Sequence, residues 1–454
     1  MVNTAKNQKD MTKGKISTLM ITFALPILLS QFFQQLYNSA DAFIVGKVLG
    51  TNAFAAVTSS GNLIFLMTSF FMGTSMGAGI VISRHFGAGE FDKVERAVHT
   101  HLALGLIGGV ALTLIGVLLT PVLLRLMDTD EAVLPEAIEY FRYYFIGGIP
   151  LVMYNVCQSI MNAVGDSKRP LYYLIFSSVT NIVLDLLFLA VFKFGVWSAA
   201  VATGISQLLS VILCVIKLSH PGSVITINIK KIKLNGKMVA EIIKYGLPSG
   251  IQNSVIGLAN VIVQKYINSF GAFATAGYGA HCKIEGFAFL PINSFTMAIS
   301  TFVGQNLGAG LKDRAKKGAR FGLIACMVMA GVIGIIYFIF AENFIAFFES
   351  APEVVRLGKL EARTVSLFYF VLAFSHGVAA VCRGSGKAFV PMLVMLLVWC
   401  VVRIIYIIIV MNIVHDIVYI YPAYPMTWVI SSIIFLIYYK FSGWVNGFDE
   451  KAEG

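Results

Sequence analysis

Residues 31–45 read QFFQQLYNSADAFIV, a stretch in which a polar stripe runs through a long apolar segment. Its polar residues are spaced three, four and three positions apart, so an α-helix places them on one face: Gln31, Gln34, Asn38 and Asp41. From about residue 16 to residue 48 no other acidic side chain occurs. A helix that is apolar enough to enter a bilayer therefore presents a line of polar groups that ends in a carboxylate.

The composition indicates a polytopic membrane protein. Of the 454 residues, 57% are hydrophobic and 13% are charged, whereas a soluble protein has about 25% charged residues. The net charge of +11 would suit a nucleic-acid partner. In a membrane protein, however, basic loop residues fix the orientation, and we expect the lipid bilayer and no nucleic acid. The six cysteines form no C-x-x-C pair, which argues against a disulfide framework or a structural metal site.

Apolar windows of about 20 residues recur along the whole chain and predict membrane-spanning helices. An even number of spans places both termini on one side of the membrane. If that side is the cytoplasm, 24 Lys and Arg residues lie inside and eight outside, as the positive-inside rule requires. We therefore expect a multi-pass protein of a prokaryotic cell membrane with cytoplasmic termini. The twelve predicted spans are 16–45, 53–82, 97–121, 137–161, 170–192, 196–217, 239–265, 274–302, 318–341, 361–382, 388–411 and 420–440.

The two halves of the sequence repeat each other. Ala24-Leu-Pro26 matches Gly246-Leu-Pro248, residues 76–89 match residues 297–310, and Gly165-Asp-Ser-Lys168 corresponds to Gly384-Ser-Gly-Lys387. Similar segments in the same order at a nearly constant offset indicate a duplication of six spans. A unit of six spans begins and ends on one side of the membrane, so the halves are related by a pseudo-twofold axis along the membrane normal.

The predicted fold is an all-α protein of twelve transmembrane helices in two six-helix lobes. The N-terminal lobe covers residues 1–217 and the C-terminal lobe residues 238–454, with a basic cytoplasmic linker at residues 218–237. The linker is too short for an ATPase domain, and Gly384-Ser-Gly-Lys387 lacks the outer residues of a Walker loop. The Gly73-x-x-x-Gly77 pattern predicts a close approach of two helices.

Two carboxylates of the first half fall within predicted spans, where an ionised group is costly unless it meets a cavity or a partner. These are Asp41 and Asp185. Asn181 shares a helical face with Asp185, and Thr203 adds a hydroxyl in the next span. Their oxygens suit a small cation such as Na⁺. Two neighbouring carboxylates in a medium of low dielectric can instead share a proton, so the coupling ion is H⁺ or Na⁺.

The second half lacks this carboxylate pair, because Val263 falls near the position equivalent to Asp41. We therefore expect the cation site in the first half alone. A separate candidate polar site of the second half consists of Lys283, Glu285 and Arg403. We predict that Glu285 pairs with Arg403 across two helices, either as a structural contact or as part of substrate binding or gating.

Taken together in their order along the chain, these motifs resemble those of the multidrug and toxic compound extrusion (MATE) transporters. The resemblance covers nearly the full length and is carried by Ala24-Leu-Pro26, Asp41-Ala-Phe-Ile-Val-Gly46, Phe86-Gly-Ala-Gly-Glu90 with Leu307-Gly-Ala-Gly-Leu311, and Asn181-x-x-x-Asp185. It is closest to the prokaryotic branch similar to the DNA-damage-inducible type. The resemblance implies an antiporter that exports organic, cationic and amphipathic drugs in exchange for H⁺ or Na⁺ by alternating access.

The resemblance also implies roles for individual residues. The cation site falls on Asp41, Asn181, Asp185 and Thr203, and the bend of the first helix on Pro26. Substrate contacts are expected at Gln34, Asn38 and Asn155, and the aromatic ring of Tyr37 suits the same pocket. The family's other branch uses acidic residues of the seventh and tenth spans. Here the tenth span offers only Glu361, near its outer end, which argues against coupling in the second lobe.

Other functions compete with drug export. A flippase for lipid-linked precursors of the same superfamily would need more basic residues in its cavity than this sequence offers. An exporter of a metabolite would use the same mechanism, and the sequence does not distinguish the two substrates. An enzyme is disfavoured because no H-E-x-x-H or G-x-S-x-G motif occurs. We thus expect a transporter that needs no cofactor, acts on small organic molecules and functions as a monomer.

Overall fold

The protein folds into long α-helices in the computed structural model, and the part of the chain that it describes contains no β-strand. It describes residues 10–50, 53, 56–57, 61–126, 131–220 and 226–448. Most of residues 51–60, which begin the second predicted span, and residues 221–225 of the predicted linker lie outside the described part. The first seven helices are α1 (Ile16–Leu49), α2 (Gly61–Gly87), α3 (Phe91–Leu126), α4 (Leu134–Ile146), α5 (Gly148–Ala163), α6 (Lys168–Asp185) and α7 (Trp197–Ser219).

The remaining helices follow the same succession. They are α8 (Gly236–Asn268), α9 (Ala272–Gly308), α10 (Lys312–Phe348), α11 (Pro352–Ser366), α12 (Tyr369–Gly384), α13 (Phe389–Met395), α14 (Arg403–Ile413) and α15 (Ala423–Phe441). Two π-helical segments lie in line with them: Leu186–Val191 continues α6, and Leu396–Val402 joins α13 to α14. Each adds a residue to its turn of helix, which is typical of π-bulges.

These helices account for the twelve predicted spans. Within the described residues, eight helical segments are long and apolar enough to cross a bilayer, and two bent helix pairs bring the number to ten. The other two predicted spans correspond to α2 and α8, with 27 and 33 residues, more than the roughly 20 that a bilayer requires. The prediction of an all-α polytopic fold with twelve spans is confirmed.

Two spans are bent at equivalent places in the halves, which the sequence analysis did not predict. The axes of α4 and α5 meet at 50°, and those of α11 and α12 at 53°. The first break lies at Gly147, and Pro150 follows in the first turn of α5, where the missing N–H of proline is tolerated. The second break lies at Leu367 and Phe368 and contains no proline.

Turns with left-handed glycines repeat between the halves. Gly50 and Gly271 have φ of 96° and 93°, Gly89 and Gly310 have 72° and 74°, and Gly165 and Gly386 have 83° and 80°. All three pairs are 221 positions apart, in agreement with the offset seen in the sequence. The last pair shifts the third sequence match by two residues, because Gly165 corresponds to Gly386 and not to Gly384. A β-carbon is disfavoured at such φ angles, which explains why glycine occurs in both copies.

The helices form two compact units, each with its own apolar core. The first unit includes Leu29–Gly250, and the second combines Met11–Leu28 with Ile251–Gly454. The helices α1 and α8 therefore each contribute to both units. In each of them the chain passes from one unit to the other two residues after a proline, Pro26 in α1 and Pro248 in α8. The helix α1 continues through Pro26 from Ile16 to Leu49, and a bend at this proline stays a prediction.

Within the first unit, α2 and α8 approach each other through glycines. A β-carbon at Gly73 would collide with the backbone of Gly250, and one at Gly77 with the backbone of Gly246. The close helix contact predicted from the Gly73-x-x-x-Gly77 pattern is therefore present. Because the backbones touch, any side chain at these positions would push the two helices apart.

Candidate functional site

The first unit brings the four predicted cation-binding residues to adjacent helices. Asp41 lies on α1, Asn181 and Asp185 lie one turn apart on α6, and Thr203 lies on α7. Asp41 is 6% exposed and Asp185 is fully buried. The amide nitrogen of Asn181 donates a hydrogen bond of 3.4 Å to the hydroxyl of Thr203, which itself donates to the carbonyl of Ala199. This contact fixes the side chain of Asn181 between α6 and α7.

The carboxyl groups of Asp41 and Asp185 interact electrostatically with each other. One oxygen of Asp41, both oxygens of Asp185 and the amide oxygen of Asn181 are buried and accept no hydrogen bond. Buried polar atoms without partners are rare in proteins, because they lose their hydration and gain nothing in return. Four such oxygens within one cluster form an acceptor set that would be satisfied by a cation or a proton.

The oxygen chemistry of this cluster suits a light cation more than a transition metal. Hard oxygen ligands bind Na⁺-like or alkaline-earth cations, while nitrogen and sulfur ligands favour zinc and copper. Across the described ranges, no group of three or more His, Cys, Asp or Glu residues is arranged to hold a metal ion. The cluster has two carboxylates, and its remaining donors are an amide and a hydroxyl.

Tyrosines surround the carboxylate pair, and the sequence analysis missed two of them. Tyr37 was predicted to contact substrate, but it is buried, its hydroxyl accepts a hydrogen bond of 3.4 Å from Gln207, and it also bonds Gln34. Tyr140 and Tyr144, on α4, interact electrostatically with Asp41. The sequence signal available was their i, i+4 spacing, which places both rings on one helical face. Tyr37 and Gln34 therefore belong to the surroundings of the cation site.

The other predicted substrate residues are not gathered into one site. Asn38 is exposed on α1. Asn155 lies on α5, and its amide donates a hydrogen bond of 2.9 Å to the carbonyl of Leu151 in the same helix. Neither contact tests a role in substrate binding, so that role stays a prediction for both residues.

The predicted polar site of the second unit is divided. Lys283 is exposed on α9 and its ammonium lies 5.5 Å from the ring centre of Phe348. Glu285 interacts electrostatically with Arg403, as predicted for this pair. Arg403 is 2% exposed, and its guanidinium donates a hydrogen bond of 3.0 Å to Thr427. Lys283 therefore lies apart from Glu285 and Arg403.

Two further members of this polar cluster were not predicted as site residues. His281 lies one turn before Glu285 on α9, and Glu361 lies on α11. Glu361 is 1% exposed, although the sequence placed it near the outer end of its span. The bend between α11 and α12 explains the difference, because span length alone does not show how deeply a bent helix enters the protein.

A polar network also fixes the short turn between α2 and α3. The imidazole of His85 lies 2.6 Å from a carboxylate oxygen of Glu90 and 3.4 Å from one of Glu241 on α8. Lys93 donates a hydrogen bond of 2.8 Å to the other oxygen of Glu90. This bond, together with the nearby His85, holds the pKa of Glu90 below its usual range. The network connects the turn to the start of α8 within the first unit.

Comparison with known proteins places the chain in a family. The MatE family model matches twice, over residues 26–187 and 248–409, which together make up more than two thirds of the sequence. The protein belongs to the MatE family. The two matches begin 222 positions apart, at Pro26 and Pro248, which confirms the internal repeat.

MatE relatives include named transporters. The chain is 28% identical over 438 residues to the probable multidrug resistance protein YoeA of Bacillus subtilis, covering 95% of both chains. It is 24% identical over 379 residues to a FAD transporter of Shewanella oneidensis, covering 82% of this chain and 81% of the other. A crystal structure of MATE in the bent conformation shares the fold with a TM-score of 0.90 at 20% identity, over 98% of this chain and 99% of that one.

Proposed function

We propose that this protein exports small organic molecules from the cell in exchange for H⁺ or Na⁺, by alternating access. Its membership of the MatE family and the name of its Bacillus subtilis relative support multidrug compounds as the substrate class. One observation carries the antiport mechanism: Asp41 and Asp185 interact at membrane depth in the first unit and leave three carboxylate oxygens without hydrogen-bond partners.

Charge is the physical basis of the proposed coupling. Two ionised carboxylates in a buried site repel each other and are poorly solvated, so binding of one cation lowers the free energy of the site. Hydrogen bonds around Asp41 and Asp185 then rearrange, and α1 carries this change because it also bears Gln34 and Asn38. Cation and substrate need to compete by only about 1–3 kcal/mol for the exchange to be effective.

The direction of transport follows from the distribution of basic residues. Lys and Arg residues concentrate in the segments that we assign to the cytoplasm, which places both termini inside a prokaryotic plasma membrane. With that orientation, a cation taken up from outside and released inside drives substrate outward. The chain needs no cofactor in this scheme, since the gradient supplies the free energy.

Efflux of a fluorescent organic cation from energised membrane vesicles tests the proposal. Wild type and Asp185→Asn are compared under an imposed pH gradient and, separately, a sodium gradient. We expect one gradient to drive efflux by the wild type and Asp185→Asn to abolish it. Asp313→Asn is the matched control, because its carboxylate lies on the surface with 91% of the side chain exposed. Equal transport by Asp185→Asn and wild type would contradict the assigned coupling site.

A metabolite exporter is the second candidate, favoured by the similarity to the FAD transporter of Shewanella oneidensis. FAD is a large dinucleotide with negative charges, so it differs from a cationic drug in size and sign. Release of FAD and of the fluorescent cation from the same loaded vesicles separates the candidates. Coupled release of FAD without release of the cation would favour the metabolite.

A further inference from the structure

The second unit buries a histidine between two glutamates. Nε2 of His281 lies 3.9 Å from Oε1 of Glu285 and 3.9 Å from Oε1 of Glu361. His281 and Glu285 are one turn apart on α9, whereas Glu361 is contributed by α11. On its other side, Nδ1 of His281 lies 2.9 Å from the hydroxyl of Tyr337, which orients the ring. An acid–base nitrogen is thus held at equal distances from two buried carboxylates.

Glu361 is the least compensated member of this group. Its side chain is 1% exposed, and both carboxylate oxygens are buried without a hydrogen-bond partner. The separation of 3.9 Å from His281 is too long for a direct hydrogen bond. An ionised carboxylate in this environment would lose its hydration without forming a bond that replaces it. Glu361 therefore calls for a positively charged ligand.

The charges around Glu361 do not balance without such a ligand. Arg403 is the fixed cation of the group, and it interacts with Glu285 while donating to Thr427. One permanent positive charge thus faces two carboxylates. The other titratable groups that interact with the cluster are neutral phenols and a thiol from α9, α10, α12 and the start of α15: Tyr278, Cys282, Tyr337, Tyr369, Tyr421 and Tyr424.

Arg403 also explains why the second unit differs from the first. The family matches end at residues 187 and 409, 222 positions apart, and at this spacing Arg403 corresponds to Asn181. Asn181 contacts Thr203 of the next span, and Arg403 contacts Thr427 of the next span. The second unit therefore carries its own cation where the first unit has an amide ligand. Arg403 neutralises Glu285, and Glu361 is left over.

We propose that His281 and Glu361 form a proton-binding site in the second unit, separate from the Asp41–Asp185 pair. One exchangeable proton is held either as an O–H bond on Glu361, with both groups neutral, or on Nε2 of His281, with Glu361 ionised. A proton suits the group more than a metal ion does, since the described residues include no metal-binding arrangement of three His, Cys, Asp or Glu side chains. Use of this proton in transport rests on the proposed function, but its binding does not.

Infrared titration of the purified full chain in detergent tests the site directly. A protonated carboxyl group has a carbonyl stretch that an ionised carboxylate lacks, so the spectrum reports the proton without any transport. We expect the wild type to show such a band near neutral pH and Glu361→Gln to lose it. The matched control is Glu353→Gln on the same helix, because Glu353 is exposed and paired with Arg356. We expect this control to retain the band.

His281→Gln completes the test, because it keeps Glu361 but removes the second proton-binding atom. We expect the pH at which the band disappears to move in this variant. Glu361→Asp, which retains a carboxyl group and elutes as a folded protein in gel filtration, should retain a band and so excludes unfolding as the cause of its loss in Glu361→Gln. A band that persists in Glu361→Gln, or an unchanged titration of His281→Gln, would overturn the proposal. Absence of dye efflux would count against the proposed transport and leave this result intact.

Discussion

Asp41 and Asp185 face each other inside the first unit, although α1 carries one and the end of α6 carries the other. The π-helical segment Leu186–Val191 begins directly after Asp185. Such segments interrupt the regular hydrogen bonding of a helix and are frequent at functional sites. The helix that presents Asp185 is thus easier to rearrange just beyond this carboxylate than in its α-helical part. A change of charge at the pair therefore acts at a place where the backbone geometry already departs from an ideal helix.

Replacing Thr203 by valine should weaken cation binding without removing a carboxylate. The variant keeps the shape of the side chain but removes the oxygen that accepts the hydrogen bond from Asn181. The loss of one such bond corresponds to about 1 kcal/mol, so we expect the cation concentration that half-saturates transport to rise about fivefold. Vesicle efflux at a series of cation concentrations measures this value.

Thr180→Val is the control for that prediction. The hydroxyl of Thr180 donates to the carbonyl of Phe176 within α6, so the same chemical change occurs on the same helix as Asn181. We expect its half-saturating concentration to equal that of the wild type. A similar rise in both variants would show that the effect comes from the helix and not from the contact with Asn181.

Alanine at Gly73 or Gly77 should destabilise the first unit. Each added methyl group would meet the backbone of α8, which cannot move aside as a flexible side chain does. Overpacking of this kind costs about 1–3 kcal/mol. The thermal melting temperature of the purified protein measures the effect. Gly79→Ala is the control on the same helix, because its β-carbon would make only ordinary contact at 3.6 Å with Ser159. Equal melting temperatures of the three variants would contradict the inferred close contact.

The sequence predicted the helices and the first-unit carboxylates because these depend on local apolar runs and on charges that such runs seldom contain. Asp41, Asn181 and Asp185 stand out in apolar segments wherever the helices lie. The surroundings of the site were not predictable in this way. Tyr140 and Tyr144 are ordinary residues of an amphipathic helix until α4 is packed near α1. Their role depends on packing between segments that are distant in the sequence.

The second unit shows the same limit more clearly. Glu361 was placed near the outer end of a straight span, but the chain bends by 53° between α11 and α12. Neither Leu367 nor Phe368, at the break, is a residue type that marks a bend. His281 likewise reads as one histidine in a long apolar helix. Its distance of 3.9 Å from two glutamates arises only when α9 and α11 are packed together.

Removing the charge of Arg403 should be more harmful than removing both charges of its pair. Arg403→Gln leaves Glu285 buried without its cation, which we expect to lower the free energy of unfolding by about 3–5 kcal/mol. The double variant Glu285→Gln/Arg403→Gln removes both charges, so we expect it to recover part of this loss. Denaturant unfolding of the four proteins in a double-mutant cycle gives the coupling energy.

Additive effects of the two substitutions would contradict a direct interaction between Glu285 and Arg403. Arg403→Lys separates charge from shape in the same experiment. The guanidinium lies 4.4 Å from the ring centre of Tyr424 and donates to Thr427, and an ammonium group cannot reproduce this planar contact. We expect Arg403→Lys to be intermediate between the wild type and Arg403→Gln.

The turn between α2 and α3 should lose stability in acid through Glu90. Its pKa in the folded protein is lowered by the hydrogen bond from Lys93 and by His85, so folding favours the ionised carboxylate. This contribution is complete above the pKa that Glu90 has in the unfolded chain, and it disappears as the pH falls through the lower pKa of the folded state. Melting temperatures of wild type and Glu90→Gln should therefore differ at neutral pH and converge in acid. Glu131→Gln, at an exposed position before α4, serves as the control and should match the wild type throughout. A difference for Glu90→Gln that is constant with pH would show that Glu90 acts through its shape and not through its charge.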